Sequence, residues 1–202
     1  MKFWIDIDDT ISFTDEAVIQ DASRYHTEVL KKVLPEIKPR QSENHYYFIE
    51  ILGWTREEAL RYLNDRYPAC LENIRIKPGA AETIAWLQKN GHTVTILTSR
   101  VSTPEKNAEA VSVKWLRANG INPDGIILNC KDKGAFLKNE KGVFIDDAFD
   151  HTGAVAENKD ITVFQIRSAF GKENPDSRVR HFSTWPELRE MLTAVFPQEF
   201  GK

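Results

Sequence analysis

The sequence predicts an α/β fold: a doubly wound, parallel, five-stranded sheet with a small all-helical segment inserted after the first strand. Three observations predict it. Short apolar runs alternate with amphipathic stretches from residue 75 onward. Most of those runs end in polar residues. No strand pattern of quality occurs between Thr14 and Ile74, where helical spacing dominates. The division that follows is a doubly wound core from residues 1–13 and 75–202, and a helical cap from 14–74.

At 202 residues and 41% apolar content, the chain is long enough for one substantial core plus a small insertion. Its 27 basic and 30 acidic residues leave a formal charge of −3, which argues against a nucleic-acid partner and for a small one. No apolar run is long enough to span a bilayer, and Lys2-Phe3-Trp4-Ile5 reads as a strand with no signal peptide before it, so the expected location is cytoplasmic. Cys70 and Cys130 lie far apart and the five histidines do not cluster, so neither a disulfide nor a zinc site is expected.

Residues Lys2 to Ile7 are mostly apolar, as a central strand covered on both faces should be. Val18, Ala22, Tyr25, Val29 and Val33 recur at helical spacing, predicting a helix from Asp15 to about Leu34 that Pro35 and Pro39 close. Thr55-Arg-Glu-Glu58 reads as a capping box for a helix running to about Tyr67. Tyr46, Tyr47, Phe48, Trp54 and Tyr62 in this insertion either form its core or reach a cleft to stack on a planar ligand.

Pro78-Gly79 opens a helix burying Ala80, Ile84 and Leu87, and Gly91 stands where a C-terminal glycine belongs. Strands follow at Thr93 to Leu97, Gly125 to Leu128, Gly142 to Ile145 and Ile161 to Ile166. A helix from Thr103-Pro104 to Gly120 and a last helix opened by Thr184-Trp-Pro-Glu187 complete the pattern.

Sheets of this kind bind ligands at the carboxyl ends of their strands, so the residues there carry the functional argument. Asp6 and Asp8, two apart at the end of the first strand, project to one side. Two carboxylates that close repel, and the usual remedy is a hard cation such as Mg²⁺. A calcium loop is excluded, because glycine and glutamate are absent at its sixth and twelfth positions.

Four motifs in order resemble those of the haloacid dehalogenase-like superfamily: Asp6-x-Asp8-x-Thr10 after the first strand, Thr98-Ser99 after Val94-Thr-Ile-Leu97, a lysine in Lys131-Asp-Lys133, and Asp146-Asp147 after a short apolar strand. The resemblance implies a Rossmann-like core and a Mg²⁺-dependent phosphohydrolase in which Asp6 is the covalent nucleophile. It implies that Asp8 is general acid and then general base, and that Thr98 donates its hydroxyl, and Ser99 its backbone, to phosphoryl oxygens. Lys133 is the phosphate-neutralising lysine, in competition with Lys131 and Lys138. The implied metal ligands are Asp6, the backbone carbonyl of Asp8, and Asp147, with Asp146 either a direct ligand or the orienter of a metal-bound water. Chemistry accounts for these residue types, since a carboxylate attacking a phosphate dianion needs cations around the three equatorial oxygens. Asp8 favours a phosphatase over a dehalogenase, because the dehalogenases of the superfamily lack that second Asp.

Pro78-Gly-Ala80, Thr98-Ser99, the Lys131-Asp-Lys133 string and Ile145-Asp-Asp147 look most like the 5′(3′)-deoxyribonucleotidases. That implies a nucleoside monophosphate as substrate, Lys131 as a second phosphate contact and cap aromatics as the base site. Asp8-Asp9-Thr10 departs from the Asp-Gly-Val usual there, and Arg100 replaces a common proline. Arg100 either clamps a second anionic group or lies on the surface. The alternatives are a polynucleotide 3′-phosphatase, which shares the Thr-x-Arg form but wants a basic groove, and a non-catalytic binding module on the same fold.

Overall fold

The computed structural model describes residues 1–37, 47–100 and 108–200. The sheet is parallel throughout and six-stranded: β1 (Lys2–Ile5), β2 (Thr93–Leu97), β3 (Gly125–Ile127), β4 (Gly142–Asp146), β5 (Ile161–Ile166) and β6 (Val179–Phe182), in spatial order β3-β2-β1-β4-β5-β6. The sixth strand corrects the expected five. Its Val-Arg-His-Phe sequence buries only the two ends, as suits an edge strand, so it carries no continuous apolar run.

Alternation along the strands separates two cores. Phe3, Ile5, Val94, Ile96, Val143 and Ile145 pack one face with α5 (Ala80–Lys89), α6 (Ala108–Ala118) and α9 (Trp185–Val195). Trp4, Leu97, Phe144 and Val163 pack the other with α7 (Lys133–Leu137) and α8 (Phe149–Ala156). Because side chains alternate, Asp6 follows Trp4, and Asp146 follows Phe144, onto the α7 and α8 face. The order of crossing reverses at β1, and the crevice between β1 and β4 is where such a sheet opens for a ligand.

Between β1 and α5 the chain forms α1 (Thr14–Glu28), α2 (Tyr47–Glu50), α3 (Arg56–Asp65) and α4 (Tyr67–Glu72), with no strand among the described residues. An antiparallel bridge pairs Ser12 with Ile76, so entry and exit of this segment lie side by side. The Thr55 hydroxyl accepts from Glu58 N and the Glu58 carboxylate from Thr55 N, forming the predicted capping box. At Thr184 only half of that arrangement forms, because Glu187 takes Ser183 N instead of Thr184 N.

Helix α1 ends at Glu28, short of the expected Leu34. Lys31 turns left-handed at φ 55°, and the two nitrogens of His26 hold Trp54 Nε1 at 2.8 Å and the Val33 carbonyl at 3.0 Å, which folds the chain back. Phe48, Trp54 and Tyr62 are buried with Val18, Ala22 and Tyr25 in a third apolar cluster, so these aromatics are core and not cleft residues. Tyr46, the Tyr47 side chain and the Thr103-Pro104 helix start lie outside the described residues.

Candidate active site

The chain leaves β1 through a tight turn in which Thr10 N, Ile11 N and Ser12 N all point at the Ile7 carbonyl. Asp9 occupies the left-handed region at φ 52°, a conformation at home in glycine and tolerated by Asp. Its carboxylate accepts from Asp15 N at 3.0 Å and so fixes the first turn of α1. Glycine would adopt the Asp9 conformation at no steric cost.

Asp6 N donates to the Ile145 carbonyl at 3.0 Å, which sets Asp6 beside Asp146. Between the two carboxylates lies Lys133, 1% exposed, with Nζ 2.7 Å from Asp6 Oδ1 and 2.6 Å from Asp146 Oδ2. Gly134 permits α7 to press against α8: a Cβ there would lie 2.8 Å from that of Ala154. One carboxylate oxygen from each of Asp6, Asp146 and Asp147 lies within 4.8 Å of the other two.

Two of these three acids, Asp6 and Asp146, share one ammonium, and the proton affinities reflect it. Burial raises the Asp6 pKa to about 6; Lys133 opposes this, while Asp146 and Asp8 add to it. Burial pushes Asp146 up as well, but Lys133 and His151 prevail and lower it to about 2. Asp147 is driven well above the carboxylate range by burial and by Asp146, Asp9 and Asp6. Thr10 Oγ1 donates a long 3.5 Å hydrogen bond to its Oδ1, and the Lys77 ammonium opposes the shift. A cluster so short of positive charge, built wholly from hard oxygens, fits a divalent cation such as Mg²⁺.

Asp8 does not belong to that cluster. Arg100 grips its carboxylate with Nε to Oδ2 at 2.8 Å and Nη2 to Oδ1 at 2.6 Å, and Thr14 Oγ1 donates to Oδ1 at 2.7 Å. Burial favours the neutral acid, yet Arg100 and Thr14 hold the Asp8 pKa below its ordinary value. Arg100 is therefore neither a surface residue nor a lining residue of the cleft; it is buried, with Nη1 on Ser112 Oγ of α6 at 3.1 Å.

The cleft above these groups has a volume of about 670 Å³ and is lined by Asp6, Asp8, Thr98, Ser99, Lys131, Lys133, Asp146 and Asp147, among others. Thr98 is buried, its oxygen accepting from Arg100 N at 3.3 Å, while Ser99 Oγ donates to the Cys130 carbonyl at 2.9 Å. Lys131 is exposed at the rim. Every predicted site residue except Arg100 thus converges on one cleft.

Sequence reasoning missed five neighbours. Lys77, buried, donates to the Asp9 carbonyl and adds positive charge near Asp147. His151 Nδ1 stands 3.5 Å from Asp146 Oδ2. Phe149 and Phe170 form an aromatic wall with Tyr67 of α4. Phe149 and His151 follow Asp146-Asp147 closely in sequence, a signal that could have found them; Lys77 and Phe170 offered none.

Solved structures align over nearly the whole chain. A haloacid dehalogenase-like family hydrolase from Streptococcus pneumoniae has a TM-score of 0.66 at 16% identity, covering 96% of this chain and 97% of that one. The chain has the haloacid dehalogenase-like fold. A second protein of that fold, the HAD-hydrolase YfnB of Bacillus subtilis in a form bound to magnesium, has a TM-score of 0.65 at 17% identity over 95% of this chain and 98% of its own. In sequence, the chain is 27% identical over 209 residues to a Bacillus cereus protein named "Putative nucleotidase", covering 95% of this chain and 98% of that protein. No protein-family model matches the chain. No helix among the described residues is long and apolar enough to cross a membrane.

Proposed function

We propose that the protein is a Mg²⁺-dependent phosphomonoesterase that forms a phosphoryl intermediate on Asp6 and takes nucleoside monophosphates as substrates. The observation that carries this reading is the buried Asp6 carboxylate at the strand crossover, held by Lys133 beside Asp146 and Asp147. The name of the Bacillus cereus relative supports the substrate class. Residues 14–74 are read as the cap, and the rest as the catalytic core.

Asp6 Oδ attacks phosphorus, the bond from phosphorus to the leaving oxygen breaks, and that oxygen takes a proton from Asp8. Water then gives a proton to Asp8 while its oxygen attacks phosphorus. The acyl phosphate bond breaks, inorganic phosphate leaves, and Asp6 is again a carboxylate. Arg100 and Thr14 hold Asp8 ionised in the free protein, the state a base needs; a phosphate dianion arriving beside it favours its protonation for the acid step. Lys133 and the hydroxyl of Thr98 face the equatorial oxygens as charge moves onto them. Asp6, Asp147 and Asp146, directly or through water, would hold Mg²⁺, which supplies charge neutralisation between nucleophile and phosphate.

Phosphate release tests this across deoxy- and ribonucleoside 5′- and 3′-monophosphates, sugar phosphates and a 3′-phosphorylated oligonucleotide. Selective turnover of mononucleotides that EDTA abolishes is the expected result. Turnover of the oligonucleotide alone, with strong salt dependence, would give the polynucleotide reading instead.

Metal uptake should carry a proton signal. Asp6, at about 6, and Asp147, also raised by burial and its acidic neighbours, must both be ionised to bind a cation. Titration calorimetry at pH 6 in two buffers should therefore record net proton release on Mg²⁺ binding, with affinity falling on further acidification. Because the folded-state pKa of Asp6 lies above its unfolded value, metal-free protein loses stability as pH rises from about 4 through about 6. The Mg²⁺-induced rise in Tm should accordingly be larger at pH 7.5 than at pH 5. A pH-independent rise with no proton release would contradict this assignment of the ligands.

A further inference from the structure

We propose that the 168–174 loop and Tyr67 form the specificity site for the leaving group, and that this site takes a planar ring. The inference rests on the phosphomonoesterase reading and extends it. The loop joins β5 to β6 and brings Phe170, Gly171 and Lys172 to the cleft wall. Two buried amides fasten it there. Gln165 donates to the Asp147 carbonyl at 2.7 Å and to the Lys172 carbonyl at 2.8 Å, while its own oxygen accepts from Asn174 N at 2.8 Å. Asn174 Nδ2 donates to the Phe149 carbonyl at 2.9 Å. A surface connection seldom draws two buried polar side chains to itself unless its position matters, and these register the loop directly against Asp147.

What the loop presents is aromatic and cationic. Phe170 packs against the apolar cluster of the helical insertion yet lines the cleft, and Tyr67, from the insertion itself, lines the same cleft. Phe149 closes the wall, with Lys172 Nζ 4.8 Å from its ring centroid. Aromatic side chains lining a cleft beside a phosphate site favour contact with a flat heterocycle or aryl group over a polyol chain. Phe48, Trp54 and Tyr62 are unavailable for this, being buried in the insertion.

The test compares kcat/KM for a nucleoside 5′-monophosphate with that for ribose 5-phosphate, which lacks the ring, in wild type, Phe170→Ala and Phe170→Trp. Phe170→Ala should cut the ring preference roughly tenfold, mainly through KM, as expected for a lost stacking contact. Phe170→Trp should restore it, which a purely structural role would not predict. A preference unchanged in Phe170→Ala, or a loss equal for both substrates, overturns the inference while leaving the phosphomonoesterase reading intact. Absence of turnover of any ester by wild type overturns both.

Discussion

Asp6→Asn is expected to lower kcat by ~10⁴-fold or more and, at the same time, to leave the metal-free protein as stable as wild type or more so. The loss follows because an amide cannot form the acyl phosphate. The gain follows because burial and the neighbouring carboxylates push the Asp6 pKa to about 6, so at neutral pH the folded state carries an ionised group it disfavours. A neutral isostere removes that penalty, worth ~1–3 kcal/mol, while its carbonyl oxygen can still accept from Lys133 Nζ. Thermal unfolding in EDTA at pH 7.5 should therefore give a Tm equal to or a few degrees above wild type. A large drop in Tm would show that Asp6 is held for structure and not for chemistry. Stability set aside for function is common at active sites, and here its source is nameable: three neighbouring carboxylates, two of them sharing one lysine.

Lys133→Met should act in the opposite way. Removing the ammonium leaves Asp6 and Asp146 buried without their shared cation, and breaking a buried pair from one side costs about 3–5 kcal/mol. Activity should vanish with it. Denaturant unfolding would measure the cost, and adding Asp146→Asn to Lys133→Met should recover a substantial part of it, because one of the stranded charges is then gone. Equal stability of Lys133→Met and wild type would mean that water reaches these carboxylates freely, contrary to their burial.

The chemistry was legible in the sequence wherever it depended on strand ends. Asp6, Thr98 and Asp146 each follow an apolar run, and a parallel sheet brings such ends together whatever the intervening helices do. The role of Arg100 was not legible, since its partner Asp8 lies 92 positions away and no local pattern reports a long-range ion pair. The aromatic wall was hidden for a related reason. Attention to Tyr46, Tyr47, Phe48, Trp54 and Tyr62 followed their density in the insertion. Density of that kind marked its apolar core in Phe48, Trp54 and Tyr62, while single residues on separate elements reached the cleft. Strand β6 escaped because an edge strand needs only half a face of apolar residues. Helix α1 stopped early because a left-handed Lys31 and the paired nitrogens of His26 outweigh the continuing periodicity of Val29 and Val33.

The claim on which the rest depends is that phosphorus becomes bonded to Asp6. Its most direct test is an acid quench of the Mg²⁺-loaded protein during turnover of a nucleoside monophosphate, followed by peptide mass spectrometry. The expected result is a phosphoryl-sized mass increase confined to the peptide that contains Asp6, absent in Asp6→Asn and removed by hydroxylamine. Turnover that proceeds with no label on that peptide, or a label on another residue, would contradict the account.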